Sequence, residues 1–269
     1  MSGWLEDALI PPKPWIVGWL LILGRGGVFG VLTYLGLGVL LLVRLVERPV
    51  FGAQRPWTPF ITQFVCKSVF RIIGLPVNVT GKPMALRGAI VANHASWLDI
   101  FALNAAQRIY FVAKAEVAHW AAIGWLARAT GTVFIARKGT ESKAQQVVFE
   151  DRLQAGHRLL FFPEGTSTDS IRILPFKSTL FAAFFNPALR DILHVQPVTV
   201  RYHAPEGQDP RYYGWWGDMG FATHLMKVLA TLKQGRVEVI FHDPLAVRDF
   251  ADRKALAAEC ERRVRRTLA

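Results

Sequence analysis

The sequence predicts an α/β fold: a layered, largely parallel sheet flanked by helices, with an N-terminal membrane-inserted helical segment in front of it. Three observations carry this. From Val77 onward, short apolar runs of β character alternate with helical stretches, the pattern of a parallel sheet with crossover helices. Ahead of them, Trp15 to Val43 is almost wholly apolar, broken only by Gly24-Arg25-Gly26-Gly27. Three of the predicted strands end abruptly in polar motifs, the place where α/β sheets bind their ligands.

Pro11, Pro12 and Pro14 argue against one continuous helix at the start of the chain. From Gly26 to Val43 the apolar run spans roughly 27 Å as a helix, close to the ~30 Å hydrocarbon core of a bilayer. Either one transmembrane span follows, or Trp15–Leu23 and Val28–Val43 form a helical hairpin dipping into one leaflet, with Arg25 reaching the headgroups. A signal peptide fits poorly, because no basic start precedes the run and no small-residue cleavage site follows it. Arg44 and Arg48 place its end on the cytoplasmic side. Thr58–Ile73 has apolar residues at helical spacing among Lys67 and Arg71, and lies either along the membrane interface or against the core.

After Gly74-Leu75-Pro76, strands are expected at Val77–Thr80, Ala89–Ala92, Ile109–Val112, Thr132–Ala136, His157–Phe162, Val195–Tyr202 and Val237–Phe241. Helices are expected at Trp97–Ala105, Val117–Ala129, Thr140–Gln154, Pro175–Phe185, Phe221–Leu232 and from Asp249 onward. The chain thus divides into a membrane anchor (1–50), an amphipathic interfacial linker helix (51–75) and a catalytic domain (76–269).

The 269 residues are enough for one large core. They are 52% hydrophobic, yet 32 Lys and Arg against 20 Asp and Glu leave a net charge of +12. Oily and basic together point to an anionic membrane surface or acidic ligands. Nucleic acid is not an expected partner, because no basic stripe with exposed aromatics and no recognition motif is present. Cys66 and Cys260 make no disulfide framework, and each reads as a packing residue.

The first polar strand end is Asn93-His94, with Asp99 five positions after the histidine. A histidine can take a proton near neutral pH, and a nearby carboxylate can fix its tautomer and stabilise the imidazolium. The competing reading is a capped turn, with Asn93 or Ser96 capping the next helix. The second strand end delivers Arg137 and Lys138; the third breaks at Pro163 into Glu164, Gly165 and the hydroxyls of Thr166, Ser167 and Thr168. Together they set a base, an anion binder and a hydroxyl-rich turn on one rim. The alternatives are a membrane-associated lipid hydrolase or a non-catalytic lipid-binding protein; Ser96 could serve as a hydrolase nucleophile, but the chain has no Gly-x-Ser-x-Gly elbow, and it also lacks a His-Glu-x-x-His metal motif.

The spacing and order of these blocks resemble the glycerolipid acyltransferase family, which includes the bacterial 1-acylglycerol-3-phosphate acyltransferases. Asn-His-four residues-Asp is Asn93, His94 and Asp99; Gly-x-x-Phe-Ile-x-Arg is Gly131, Phe134, Ile135 and Arg137; Phe-Pro-Glu-Gly-Thr is Phe162 to Thr166; and Pro-Val is Pro197-Val198. The resemblance implies that His94 is the general base, that Asp99 orients it, and that Asn93, Arg137, Glu164, Gly165, Thr166 and Ser167 form the acceptor site. It implies a lysolipid acceptor, acyl carrier protein or acyl-CoA as acyl donor, no metal and no bound cofactor, at the cytoplasmic face of a bacterial-type inner membrane. Family members that use glycerol phosphates commonly have Arg where this chain has Ser167, and a hydroxyl cannot replace a bidentate phosphate clamp. Either Arg172 or Lys177 supplies the charge, or the headgroup is not a phosphate monoester. With Trp216-Gly-Asp-Met219, the run from Phe162 to Ser178 looks more like the branch that acylates lyso-ornithine lipids.

Overall fold

The computed structural model describes residues 14–135 and 141–268, the side chains of 141–146 excepted. An eight-stranded sheet is covered on both faces by helices. In chain order the elements are α1 (Ile16–Phe51), α2 (Thr58–Ile73), β1 (Val77–Thr80), β2 (Gly88–Ala92), α3 (Leu98–Ala106), β3 (Tyr110–Lys114), α4 (Ile123–Ala129), β4 (Val133–Ile135), α5 (Glu141–Gln154), β5 (Leu159–Phe161), β6 (His194–His203), α6 (Phe221–Ala230), β7 (Arg236–Phe241), β8 (Leu245–Ala246) and α7 (Arg253–Leu268).

The strand order is β1-β7-β6-β2-β5-β3-β4, with β8 pairing β6. β6, β2, β5, β3 and β4 run parallel, while β7 and β8 lie antiparallel to β6 and β1 runs with β7. The parallel direction of β2, β5 and β4 puts their carboxyl ends on one rim. β2 is buried at every residue, as a central strand covered on both faces must be. Its alternate residues feed two cores: Ile90 and Ala92 pack with α2, α3 and α6, while Ala89 and Val91 pack with α5 and α7.

The Gly24–Gly27 interruption does not break the first helix, so the hairpin alternative is not what forms; α1 is continuous from Ile16 to Phe51. A glycine inside a helix costs about 1 kcal/mol, and packing offsets it here. A Cβ at Gly36 would stand 2.6 Å from Val65 on α2, so the missing side chain lets the two helices approach. Arg25 donates to the carbonyls of Leu229, Thr231 and Leu232, satisfying the end of α6. Glu47 accepts from the N–H groups of Trp57 and Thr58 and from the Thr58 hydroxyl, fastening α1 to the start of α2. α1 is long and apolar enough to cross a membrane. It is also held to the domain from Gly18 to Glu47, and exposes Leu20, Leu23, Val31, Leu35 and Leu42 on its other side. α2 buries Cys66, Val69, Phe70 and Ile73 and exposes Phe60 and Phe64, so it serves the core and the surface at once.

Two expected helices are shorter than their patterns suggest. Val117–Ala129 splits into a 3-10 turn, Ala115–His119, and α4, because Ala122 adopts a left-handed φ of 61° between them. Pro175–Phe185 keeps only a 3-10 turn at Leu180–Phe185. Its first residues are drawn out of helix by tertiary bonds: Phe176 N–H donates to Glu261 and Lys177 N–H to the Pro163 carbonyl.

Candidate active site

β2 stops at Ala92, while β6, its parallel neighbour, runs on to His203. Asn93 bridges the gap this leaves. Its side-chain Nδ2 donates to the Val200 carbonyl at 2.9 Å and its Oδ1 accepts from the Val200 N–H at 2.8 Å, a rung of sheet made by a side chain. Leaving those buried groups unpaired would cost roughly 1–3 kcal/mol each. Asn93 was expected among the acceptor-binding residues; its amide is instead spent on β6, and it fixes where the next residue sits.

That residue is His94. Its ring Nδ1 lies 2.7 Å from Asp99 Oδ2. The same oxygen accepts from the backbone N–H of Ala95 at 2.7 Å and of Ser96 at 3.0 Å, and Oδ1 accepts from the Tyr202 hydroxyl at 2.7 Å. Asp99 is fully buried, while the His94 side chain keeps 19% exposure. An acceptor-only carboxylate beside Nδ1 fixes the proton there and leaves Nε2 as the basic nitrogen. Neither Asn93 nor Ser96 caps the next helix, since Asn93 bonds Val200 and Ser96 Oγ has no partner among the described residues; Asp99, in the first turn of α3, holds the two N–H groups ahead of the helix and the imidazole together.

The loop after β5 holds the His94 backbone from the other side. Glu164 Oε1 accepts the His94 N–H at 2.7 Å and Oε2 the Leu174 N–H at 2.6 Å. The Thr168 N–H and hydroxyl donate to the His94 carbonyl at 2.9 and 3.1 Å. Phe162 stacks flat on the imidazole, with centroids 3.9 Å apart. Trp215 N–H donates to the Ala95 carbonyl at 2.9 Å.

Glu164, also expected to meet the acceptor, is only 1% exposed, and both oxygens are committed to backbone. Burial pushes its carboxyl up to about 8 against the pull of the two N–H donors. It is a brace for the histidine rather than a surface of the acceptor site. Gly165 adopts a left-handed φ of 74°, where any side chain is strained. Thr166 is exposed and Ser167 half-exposed on the rim beyond it. Arg137 lies outside the described residues. The strand leading to it, β4, follows a turn at Gly131, whose carbonyl accepts from Arg152, while Arg55 donates to the carbonyl of Ala129.

Of the two cations that could replace the missing arginine, Arg172 is engaged: its Nε donates to Asp169 Oδ2 at 2.7 Å. Lys177 stands over the turn, its Nζ 3.0 Å from where a Gly165 Cβ would be, and makes no ion pair among the described residues. Ser96 Oγ is buried without a hydrogen-bond partner among the described residues, so it is not placed as a nucleophile activated by His94. Burial lowers His157 to about 4 and His224 to about 3, and His242 donates to or accepts from Thr199, which leaves these three histidines as parts of the packing. The basic run on α7 is largely neutralised by its own helix, Arg262 and Arg263 pairing with Glu259 and Arg265 with Glu261.

Sequence reasoning missed Tyr202, and it named Thr168 and Phe162 only as parts of their motif, without their contacts to His94. Tyr202 carries no local signal because it lies 103 positions from Asp99. A faint signal existed for the others, since both sit beside the Pro163-Glu164-Gly165 turn.

A family model described as Acyltransferase matches residues 77–201. The chain is 57% identical to a lyso-ornithine lipid O-acyltransferase of Rhodobacter capsulatus, over 97% of this chain and 95% of that one. It is 32% identical to a 1-acyl-sn-glycerol-3-phosphate acyltransferase of Neisseria gonorrhoeae, over 67% of this chain and 69% of the other. The crystal structure of a 1-acyl-sn-glycerophosphate acyltransferase from Thermotoga maritima has the same fold, with a TM-score of 0.67 at 21% identity, covering 94% of this chain and 95% of that one.

Proposed function

Since the chain belongs to the acyltransferase family and is a lysolipid acyltransferase of lipid biosynthesis, we propose that it is membrane-attached and acylates the hydroxyl of lyso-ornithine lipid from a thioester donor, acyl carrier protein or acyl-CoA. The observation that carries the chemistry is the 2.7 Å contact between His94 Nδ1 and a fully buried Asp99. His94 Nε2 takes the proton of the acceptor hydroxyl as its oxygen attacks the thioester carbonyl carbon. The tetrahedral intermediate collapses with cleavage of the C–S bond, and the imidazolium returns its proton to the departing thiolate. Asp99 stays ionised throughout and stabilises the imidazolium. No step needs a metal ion or a bound cofactor.

The headgroup choice rests on charge. A phosphate monoester carries close to two negative charges and is best held by a bidentate guanidinium. Ser167 offers none, and Arg172 is already paired with Asp169. Lys177 offers a single point charge at the turn, which suits the one carboxylate of a zwitterionic ornithine headgroup. The 57% identity to a lyso-ornithine lipid O-acyltransferase supports the same choice. Equal amounts of lyso-ornithine lipid and lysophosphatidate, offered with one acyl donor to the purified protein, are expected to yield ornithine lipid as the main product. Phosphatidate as the main product would overturn the headgroup assignment.

Lys177→Ala is expected to raise KM for the acceptor about tenfold with a smaller change in kcat, since it removes binding rather than chemistry. An unchanged KM removes Lys177 from the acceptor site. For membrane attachment, the outward stripe of α1 from Leu20 to Leu42, with Trp19, supplies an apolar face, and a chain at +12 is drawn to anionic headgroups. A helix docked along most of its length favours burial of that stripe in the leaflet on the cytoplasmic side, where Arg44 and Arg48 belong.

A further inference from the structure

We propose that Tyr202 is a positioning residue of the dyad: its hydroxyl fixes the plane of the Asp99 carboxylate and takes up part of its negative charge, which sets the pH at which His94 becomes a base. The inference rests on the reading of His94 as the general base.

The geometry that leads there is specific. Asp99 Oδ2 is already shared by His94 Nδ1–H and two backbone N–H groups, so Oδ1 would face the protein interior without a partner if Tyr202 were absent. No lysine or arginine pairs with Asp99 among the described residues. The hydroxyl reaches it only because β6 runs beyond the end of β2. The ring of Tyr202, 6% exposed, is wedged beside Tyr213, with centroids 5.6 Å apart. Tyr213 is in turn tied to Gln234 through its own hydroxyl.

A carboxylate with one donor fewer keeps more of its charge for the imidazole and accepts a proton more readily itself. The O–H dipole also presents its positive end to the dyad, so its removal favours the imidazolium. Both effects act in one direction: without the hydroxyl, the dyad holds its proton to higher pH.

Other titratable or charged groups face this cluster. Glu164 takes the His94 N–H, Lys177 stands over Gly165, Arg265 on α7 lies toward Glu164, and His224 on α6 bonds Trp97. Glu164, held up to about 8 by burial, falls within the working range. The His94 ring is therefore followed by its own nitrogen resonances and not by activity alone.

The test is Tyr202→Phe in the full chain, measured by the pH profile of kcat/KM and by an NMR titration of the 15N-labelled His94 ring. The acid limb and the ring midpoint are both expected to move up by roughly half a unit to one unit, with KM for the lysolipid unchanged and activity partly regained at higher pH. A profile lowered in height but unmoved, with the ring midpoint also unmoved, would overturn the proposal and leave Tyr202 a packing residue. Should Tyr202→Phe fold poorly, 3-fluorotyrosine at position 202, which keeps shape while altering the donor, is expected to shift the midpoint, and an unmoved midpoint overturns the proposal equally. The ring titration does not require turnover, so its failure is separable from failure of the general-base reading, which a fully active His94→Ala would expose.

Discussion

Replacing His94 by alanine is expected to lower acyl transfer by roughly 10³- to 10⁴-fold, the upper range for loss of a positioned general base. The fold should survive the change. The ring contributes one hydrogen bond to Asp99 and one stacking contact with Phe162, whereas the clamps that hold this turn act on the His94 backbone, through Glu164 and Thr168. Thermal unfolding and sedimentation with vesicles should therefore match the parent, while the rate with thioester donor and lysolipid collapses. Near-normal turnover would remove the dyad from the mechanism. Free fatty acid as the main product of the parent protein, with or without lysolipid, would point instead to hydrolysis.

Asp99→Asn is expected to cost about 10²- to 10³-fold, less than the loss seen when a histidine is forced into the wrong tautomer. The reason lies in the two backbone donors. Ala95 and Ser96 N–H both point at Oδ2 and require an acceptor there, so the amide oxygen takes that place and still receives Nδ1–H. The amide NH2 then faces the Tyr202 oxygen, which can accept. The ring keeps its orientation and tautomer but loses the negative charge that supports the imidazolium. The acid limb of kcat/KM should accordingly move down, opposite to the shift expected for Tyr202→Phe. A loss as large as that of His94→Ala would mean that the ring had turned over, which the His94 nitrogen resonances would reveal.

Much of the fold was legible because it is written in short-range patterns. The buried run Gly88–Ala92, with no polar residue, reads as a strand covered on both faces, and the same holds for Leu159–Phe161. The long apolar helix was legible as far as Val43, but neither its continuity nor its extension to Phe51 was. Gly24, Gly26 and Gly27 read as a break, and only the fold shows Leu229 packing close against Gly26 while the helix runs on. The helix expected at Pro175–Phe185 failed for a related reason, since Glu261 and the Pro163 carbonyl hold Phe176 and Lys177 extended. The reversal of β7 and β1 relative to β6 is likewise absent from local pattern, because a strand looks the same in either direction.

At the site, the local sequence was enough to bring His94 and Asp99 together, the pair proposed to carry the chemistry. A histidine five residues before an aspartate, at the end of a buried strand, has few ways to avoid forming a hydrogen-bonded pair, because the turn into α3 brings the two side chains together within one helical turn. Which of the polar neighbours are bonded to the protein's own backbone was decided by tertiary structure alone. Asn93 and Glu164 look like ligand-binding residues in a linear reading, but β6 and the Leu174 backbone present unpaired N–H and C=O groups where those side chains fall, and buried backbone groups must be satisfied first. Tyr202 reaches Asp99 for the converse reason. Its place depends on how far one strand outruns its neighbour, a quantity set by sheet register that no local stretch of sequence encodes.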